Sequence, residues 1–453
     1  MSAYFRLDSD CFLVEGVRDA ALYDVTGRRL YLLDEAARHI LRKCEANSPL
    51  DYNCQDAKDR AFLEFLCAEG LGFFYDSPVF VDKFVTPAKL RLFDQPVMPR
   101  QYHFVDWTIT QSCDVGCSFC PVEADGSSWQ TCMTCVRKAA VPESRDLFEQ
   151  ASGIVEQMAE LGITRLHIRG GNPLLSWGRL ASIIREAERH PRMIVIVTTP
   201  GTGCSTQDLL ALCCSPNVRL NLTLFAVDTE TAKSVCREEV ITYQIALLRE
   251  LTQRKVPFSL TLLLNGKTCR QQERMSNFLW ENWHHKPRIA ETYTASEALE
   301  GVSFSHVHSR GKLLSCWRSW EDLCARAFLS TCLFARLQIN IDGSINPCVG
   351  IGEHCGQIVG GDLLAALKGK TLYDWWAFSK RDIRPCNECA LRYLCLDCAA
   401  VQVKCKRQAS CVRQFCPFDP EGTLRASQIH WDHAGFAKFA IAGPTVEGIC
   451  QTL

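Results

Sequence analysis

Between residues 101 and 315 short apolar runs alternate with amphipathic stretches. HFVDWTIT, TRLHIR, MIVIVTT, VRLNLTLFA and PFSLTLLL each have the length of a strand. Between them lie helical segments such as RDLFEQASGIVEQMAEL, which puts Phe148, Ala151, Val155 and Met158 on one face and meets a stop signal at Gly162. Strand–helix alternation predicts a parallel sheet, open or barrel-like, with ligands at the C-terminal ends of its strands.

The pattern differs on either side. Residues 1–85 read as a small α+β unit. YFRLDSDCFLVEG and AALYDVTGRRLYLLD have the character of short strands, the second bent at Thr26-Gly27. LDEAARHILRKCE then places Ala36, Ile40 and Leu41 near one helical face, and DAKDRAFLEFLCAEGLG gives a second helix ending at glycine. Residues 86–100 carry prolines and little periodicity, as a linker does. From 316 to 420 the chain is rich in cysteine and loses its alternation, so metal is the natural staple there. Residues 421–453 form a tail.

Composition narrows the class. A chain of 453 residues is long for one core, and 47% hydrophobic with 22% charged residues is ordinary for a globular protein. A net charge of −1 argues against an electrostatic grip on nucleic acid or an anionic membrane. No apolar run approaches the roughly 18 residues of a membrane span, and MSAYFRLDSDCFLVEG has no basic-then-apolar signal pattern, so the expectation is a cytoplasmic protein. Twenty-seven cysteines then become informative: an odd count on a long chain without an export signal points to metal rather than a disulfide framework.

Three of them stand in CDVGCSFC, directly after the first strand of the alternating region: Cys113, Cys117 and Cys120. A structural zinc site closes with four ligands, whereas three thiolates suggest a centre with one open position. Spacing alone leaves open zinc with a distant fourth ligand and a 4Fe–4S cluster with one exposed iron.

At this point CDVGCSFC resembles the C-x3-C-x-aromatic-C signature of radical S-adenosylmethionine (SAM) enzymes, with Phe119 as the aromatic. The resemblance implies a partial (β/α)6 TIM-like barrel. It also implies that the open iron is chelated by the amino and carboxylate groups of the methionine part of SAM, whose cleavage gives a 5′-deoxyadenosyl radical that abstracts hydrogen. RGGNPLL stands at the position of the family's Gly-Gly-Glu-Pro motif; Gly170, Gly171 and Pro173 match it, and Asn172 replaces the acid. The amide of Asn172 is expected to accept from the SAM ammonium without the charge-assisted bond. LTLFAVD aligns with a Val-Ser-x-Asp-Gly stretch, where Thr223 keeps a hydroxyl while Phe225 and Ala226 depart. TTPG, Thr198 to Gly201, resembles a Thr-Asn-Gly segment, and Arg237 sits where many relatives carry an arginine near the SAM carboxylate.

The C-terminal cysteines resemble the SPASM extension, with its two auxiliary 4Fe–4S clusters. The resemblance assigns one cluster to Cys332, Cys348, Cys398 and Cys324, with Cys316 as rival to Cys324. It assigns the other to Cys386, Cys389, Cys395 and Cys416, with Cys411 as rival to Cys416. The gap between Cys395 and Cys398 is one residue shorter than the family's. Cys132 and Cys135, in CMTC, fit neither group: a redox pair, ligands of a further metal and two thiols on an inserted loop all stay open.

Residues 1–85 resemble the winged-helix-like peptide-recognition domain related to the pyrroloquinoline-quinone chaperone, where a leader peptide adds a strand to a sheet edge. Together these resemblances imply a radical SAM/SPASM maturase of a ribosomally made precursor peptide, with three clusters, SAM, and an electron donor such as flavodoxin or ferredoxin. The expected product is a thioether or carbon–carbon crosslink. Two alternatives stand beside it: a radical SAM enzyme oxidising a protein side chain or small molecule, and a non-catalytic iron–sulfur or zinc binding relative.

Overall fold

The structure, a computed structural model, describes residues 4–17, 19–50, 57–83, 102–120, 128–130, 135, 142–294, 323, 326–330, 332–369, 371–377, 379–383, 386–393 and 437–439. The linker at 86–100 and most of the 421–453 tail lie outside these.

The N-terminal unit contains β1 (Tyr4–Leu7), β2 (Cys11–Glu15), β3 (Ala20–Asp24), β4 (Arg29–Leu33) and β5 (Gly72–Tyr75), with helices Glu35–Glu45 and Ala57–Ala68. β2, β3 and β4 form an antiparallel sheet, and β1 pairs with β5. The first helix starts at Asp34, whose side chain accepts from the Ala37 N–H, and buries Ala37, Ile40, Leu41 and Cys44. Ala37 is buried in place of the expected Ala36, because it stands three and four residues before Ile40 and Leu41 on one helical face.

A second, larger sheet begins at β6 (Phe104–Thr110) and includes β7 (Ser128–Gln130), β8 (Arg165–Gly170), β9 (Ile194–Thr199), β10 (Val218–Leu224), β11 (Phe258–Leu264) and β12 (Arg288–Thr294). It ends with β13 (Arg336–Ile339), β14 (Ser344–Asn346) and β15 (Gly356–Gln357). The order is β15-β14-β13-β6-β8-β9-β10-β11-β12-β7, and β13, β6, β8, β9, β10, β11 and β12 run parallel. The chain is thus an α/β protein with a partial-barrel core.

Two features were not visible as sequence patterns. RIAETYT, the strand β12, lacks an apolar run. β13, inside the cysteine-rich stretch that the sequence sets apart from 316, pairs in parallel with β6, so the core sheet continues through it. Its Gln338 also donates to Thr108 Oγ1 at 2.8 Å. The helical segment after residue 144 is two helices, Arg145–Glu149 and Ala151–Glu160, meeting at Gln150; Leu147 is buried and Phe148 lies partly buried beside it.

The sheet has two unlike faces, because neighbouring residues of a strand point to opposite sides. Val105, Trp107 and Ile109 of β6 join the main apolar core. Asp106, Thr108 and Thr110, equally buried, face the other way. There a polar chain crosses the sheet. Arg336 donates to Asp106 Oδ2 through Nε at 2.9 Å and Nη2 at 2.6 Å, and Arg169 pairs with Oδ1 of the same carboxylate. His167 Nδ1 lies 3.1 Å from Asp106 Oδ1, and its Nε2 lies 2.5 Å from Thr198 Oγ1. Asn221 donates to Thr198 at 3.0 Å and accepts from Ser259 and Thr261, also at 3.0 Å. The Arg169 guanidinium, which can only donate, also lies against His167 Nδ1.

The N-terminal sheet packs on the cysteine-rich segment. Val14, Tyr23 and Leu32 share an apolar cluster with Leu323, Ala327, Leu391 and Tyr393. The Tyr23 hydroxyl donates to Ala390 O at 2.9 Å, and Arg392 donates to Glu15 O at 3.0 Å.

Candidate active site

β6 ends at Thr110, and the next ten residues carry the three cysteines over the C-terminal end of the sheet. Gly116 turns this loop with φ of 66°, a left-handed conformation natural to glycine, and the Arg237 side chain lies against it. Val115, Cys117, Phe119 and Cys120 are buried in an apolar cluster with Phe225, Ala226 and Leu263. Ser118 anchors the loop by donating from its backbone N–H to Val235 O at 3.0 Å.

The loop after β8 is stitched to it. Gly171 N–H donates to Thr110 O at 3.1 Å, and Asn172 N–H donates to Ser112 O at 2.8 Å. A Cβ on Gly171 would stand 2.3 Å from Ser112 O and 2.9 Å from Cys113 Cβ, so only glycine permits this approach. Gly170, at φ of 148°, is equally constrained: its Cβ would meet Thr110 O at 2.2 Å. The two glycines of RGGNPLL therefore set how closely the cysteine loop sits on the sheet.

Asn172 is fully buried and its amide is engaged by protein. Nδ2 donates to Asp114 Oδ1 at 2.9 Å and to Thr202 O at 2.8 Å. Oδ1 accepts from Thr199 Oγ1 at 2.8 Å and from Leu174 N–H at 3.2 Å. Thr202 Oγ1 also donates to Asp114 Oδ1 at 2.9 Å. Position 172 thus ties the cysteine loop to the loop after β9, and both lone pairs of its oxygen are used within the chain.

Cys113, Val115, Cys117, Cys120, Cys135, Gly171, Pro200 and Phe225 line one pocket of about 350 Å³, its open mouth included. Burial pushes the Cys117 thiol well above its ordinary value, and the nearby Cys135, Cys236, Cys113 and Cys120 add to the rise. Such a crowd of thiols is poorly suited to ionise alone, and a cationic metal centre is the chemistry that suits it. The Thr223 hydroxyl is buried with no hydrogen-bond partner among the described residues, although its backbone carbonyl accepts from Gln244 at 2.8 Å. Three thiols converging on one pocket fit an iron–sulfur cluster.

The other expected residues fall in several places. Pro173 starts a short 3-10 turn whose N-cap is Asn172. Arg237 is exposed at the start of the helix Glu238–Gln253, against the cysteine loop. Cys348 and Cys386 are buried, Cys332 and Cys389 half-buried, and Cys389 N–H donates to Cys386 O at 3.0 Å. Cys316, Cys324, Cys395, Cys398, Cys411, Cys416 and Cys132 lie outside the described residues. Sequence reasoning missed Thr202 and Cys236, and it gave no role to Asp114 and Pro200, which stand inside CDVGCSFC and TTPG. The signal for Thr202 and Cys236 was weak, since each only neighbours a residue that the motifs marked.

Residues 107–279 match the Radical SAM superfamily. A GTP 3′,8-cyclase of Petrotoga mobilis is 26% identical over 138 residues, 30% of this chain and 39% of that protein, so the match spans about two fifths of the relative's length. SuiB of Streptococcus suis, solved bound to S-adenosylmethionine, superposes with a TM-score of 0.50 at 12% identity, covering 91% of this chain and 100% of SuiB. SuiB has also been solved bound to a precursor peptide, SuiA; that structure superposes at a TM-score of 0.49 and 14% identity, with the same coverage of both chains. Among the described residues no helix is long and apolar enough to cross a membrane.

Proposed function

We propose that this radical SAM enzyme, whose superfamily domain spans residues 107–279, modifies a ribosomally made precursor peptide, forming a thioether or carbon–carbon crosslink. The observation that carries the reading is the convergence of Cys113, Cys117 and Cys120 on one pocket at the C-terminal end of a parallel sheet. These three would hold a 4Fe–4S cluster with one iron left for SAM. When bound, that pair supplies one-electron cleavage of SAM and a radical able to abstract hydrogen from an unactivated carbon.

The chain's own residues orient and enclose. Gly170 and Gly171 let the cysteine loop close on β8, and Phe119 and Phe225 wall the loop with apolar surface that excludes water. Thr223 offers a buried hydroxyl for the polar part of SAM. The Asn172 amide holds Asp114 and Thr202 in place, so its part in SAM binding is positional. In the cysteine-rich segment, Cys332, Cys348, Cys386 and Cys389 would be joined by Cys324, Cys395, Cys398 and Cys416 around two auxiliary clusters, with a flavodoxin or ferredoxin supplying electrons.

Peptide recognition is assigned to residues 1–85. What supports it is the edge of β4, which takes an added antiparallel strand: β16 (Ala437–Phe439) of the same chain pairs there, Lys438 opposite Tyr31. Backbone pairing of this kind accepts an extended peptide largely regardless of its side chains.

Iron and sulfide per chain after anaerobic purification test the reading, compared with Cys113→Ala/Cys117→Ala/Cys120→Ala. About twelve irons, falling by about four in the variant, are expected from three cysteine-bound 4Fe–4S clusters. Zinc in place of iron, or no loss in the variant, would overturn it. Release of 5′-deoxyadenosine from SAM under reducing conditions separates an active enzyme from a binding protein.

A further inference from the structure

Cys135 belongs to none of the cluster motifs, yet it reaches the same pocket as Cys113, Cys117 and Cys120. It is half-buried and packs against the apolar cluster that contains Cys117, Cys120 and Phe225. The topology explains how it arrives there. β6, which leads into the cysteine loop, and β12 are five strand positions apart in the sheet order, and β7 pairs with the outer side of β12, Gln130 opposite Thr292. The chain between Cys120 and the helix Arg145–Glu149 therefore visits the far edge of the sheet at β7 and is back at the pocket five residues later.

A fourth thiol at a three-thiol site has a specific chemical consequence. Three cysteines leave one iron of a 4Fe–4S cluster without a protein ligand, and a nearby thiolate is the strongest donor this chain offers for it. We propose that Cys135 ligates the fourth iron while SAM is absent and gives up that position when SAM binds. The inference rests on the reading that Cys113, Cys117 and Cys120 hold the cluster. The exchange is a substitution without change of oxidation state. One iron–sulfur bond breaks, and bonds from iron to the amino nitrogen and a carboxylate oxygen of SAM form. Cys135 leaves as a thiolate and takes up a proton, and the SAM ammonium loses one. A capped iron shields the cluster from solvent and oxidant between turnovers, and SAM binding then has to displace an internal competitor. If nine molecules in ten are capped, the apparent dissociation constant for SAM rises about tenfold over the intrinsic one.

The test uses the full chain, reconstituted anaerobically, as wild type, Cys135→Ala and Cys135→Ser. Iron per chain and circular dichroism establish that each variant is folded and loaded, and the serine variant, nearly isosteric, serves if alanine disturbs the loop. Two quantities are then read: the SAM dissociation constant by equilibrium dialysis, and the electron paramagnetic resonance spectrum of the reduced cluster with and without SAM. The expected result is SAM binding about tenfold tighter in the variants. Their SAM-free spectra should also differ from wild type, and the spectra should converge at saturating SAM. Equal affinities, or superimposable SAM-free spectra, would overturn the cap. A wild-type chain that carries no iron at Cys113, Cys117 and Cys120 overturns the cluster reading itself, a different outcome from a loaded cluster indifferent to Cys135.

Discussion

The side-chain amide of Asn172 donates to the Asp114 carboxylate at 2.9 Å, tying the loop after β8 to the loop that carries the cysteines. The relationship turns a departure from the family motif into a structural element. A glutamate at this position would set a second carboxylate against Asp114; an amide bridges Asp114 to Thr202 and Thr199 instead.

Asn172→Ala is expected to cost about 2–3 kcal/mol, because Asp114, Thr199 and the Thr202 carbonyl each lose a buried partner. Asn172→Glu, which restores the family's residue, is expected to destabilise further through carboxylate repulsion. Adding Asp114→Asn should recover most of that loss, since an amide at 114 can donate to the new carboxylate. Thermal unfolding of the four proteins checks this. A glutamate variant as stable as wild type would contradict the geometry.

Gly171→Ala should move the cysteine loop, because its Cβ would fall 2.3 Å from Ser112 O and 2.9 Å from Cys113 Cβ. The backbone atom cannot yield as a flexible side-chain end does. The measured result should be loss of about four irons per chain, the content of one cluster, with the rest of the fold retained by circular dichroism. Full iron content would refute it.

Asp106→Asn removes the carboxylate shared by Arg169 and Arg336 in a layer where Asp106, His167 and Arg169 are fully buried. Breaking a buried ion pair from one side costs about 3–5 kcal/mol. Chemical denaturation monitored by tryptophan fluorescence suits this test, since Trp107 lies on β6 beside the substitution. A change below about 1 kcal/mol, the scale of an exposed pair, would mean the network carries little stability.

The same layer sets a pH dependence. Burial, with Arg169 adding to it, lowers the His167 pKa to about 4 from 6.5, against the pull of Asp106. Burial would raise the Asp106 carboxyl, but Arg169, Arg336 and His167 together hold it well below the usual carboxylate range. The His167 contribution is therefore complete above about pH 6.5 and is lost as pH falls toward 4, because the unfolded chain takes up a proton that the folded one refuses. Protonation of Asp106 removes its contribution only below the usual carboxylate range. Unfolding midpoints between pH 7 and 4 should fall less steeply in His167→Asn than in wild type. Parallel slopes would exclude His167 as the source.

The residues that do chemistry were legible because their spacing is local: CDVGCSFC and RGGNPLL are read within eight and seven residues, and each follows a strand whose apolar run announces it. The parallel strands from β6 to β11 were legible for the same reason, whereas β12, held by pairing on both sides, carried no comparable pattern. Chain order by itself determined that three thiols meet on one loop at the end of a strand. Only the tertiary structure decided that β13 joins the core sheet beside β6, that Asn172 spends its amide on Asp114 and Thr202, and that Cys135 arrives at the same pocket. Each of those depends on contacts between segments far apart in sequence, where hydrogen bonding and burial act after the chain has closed on itself and leave no periodicity to read.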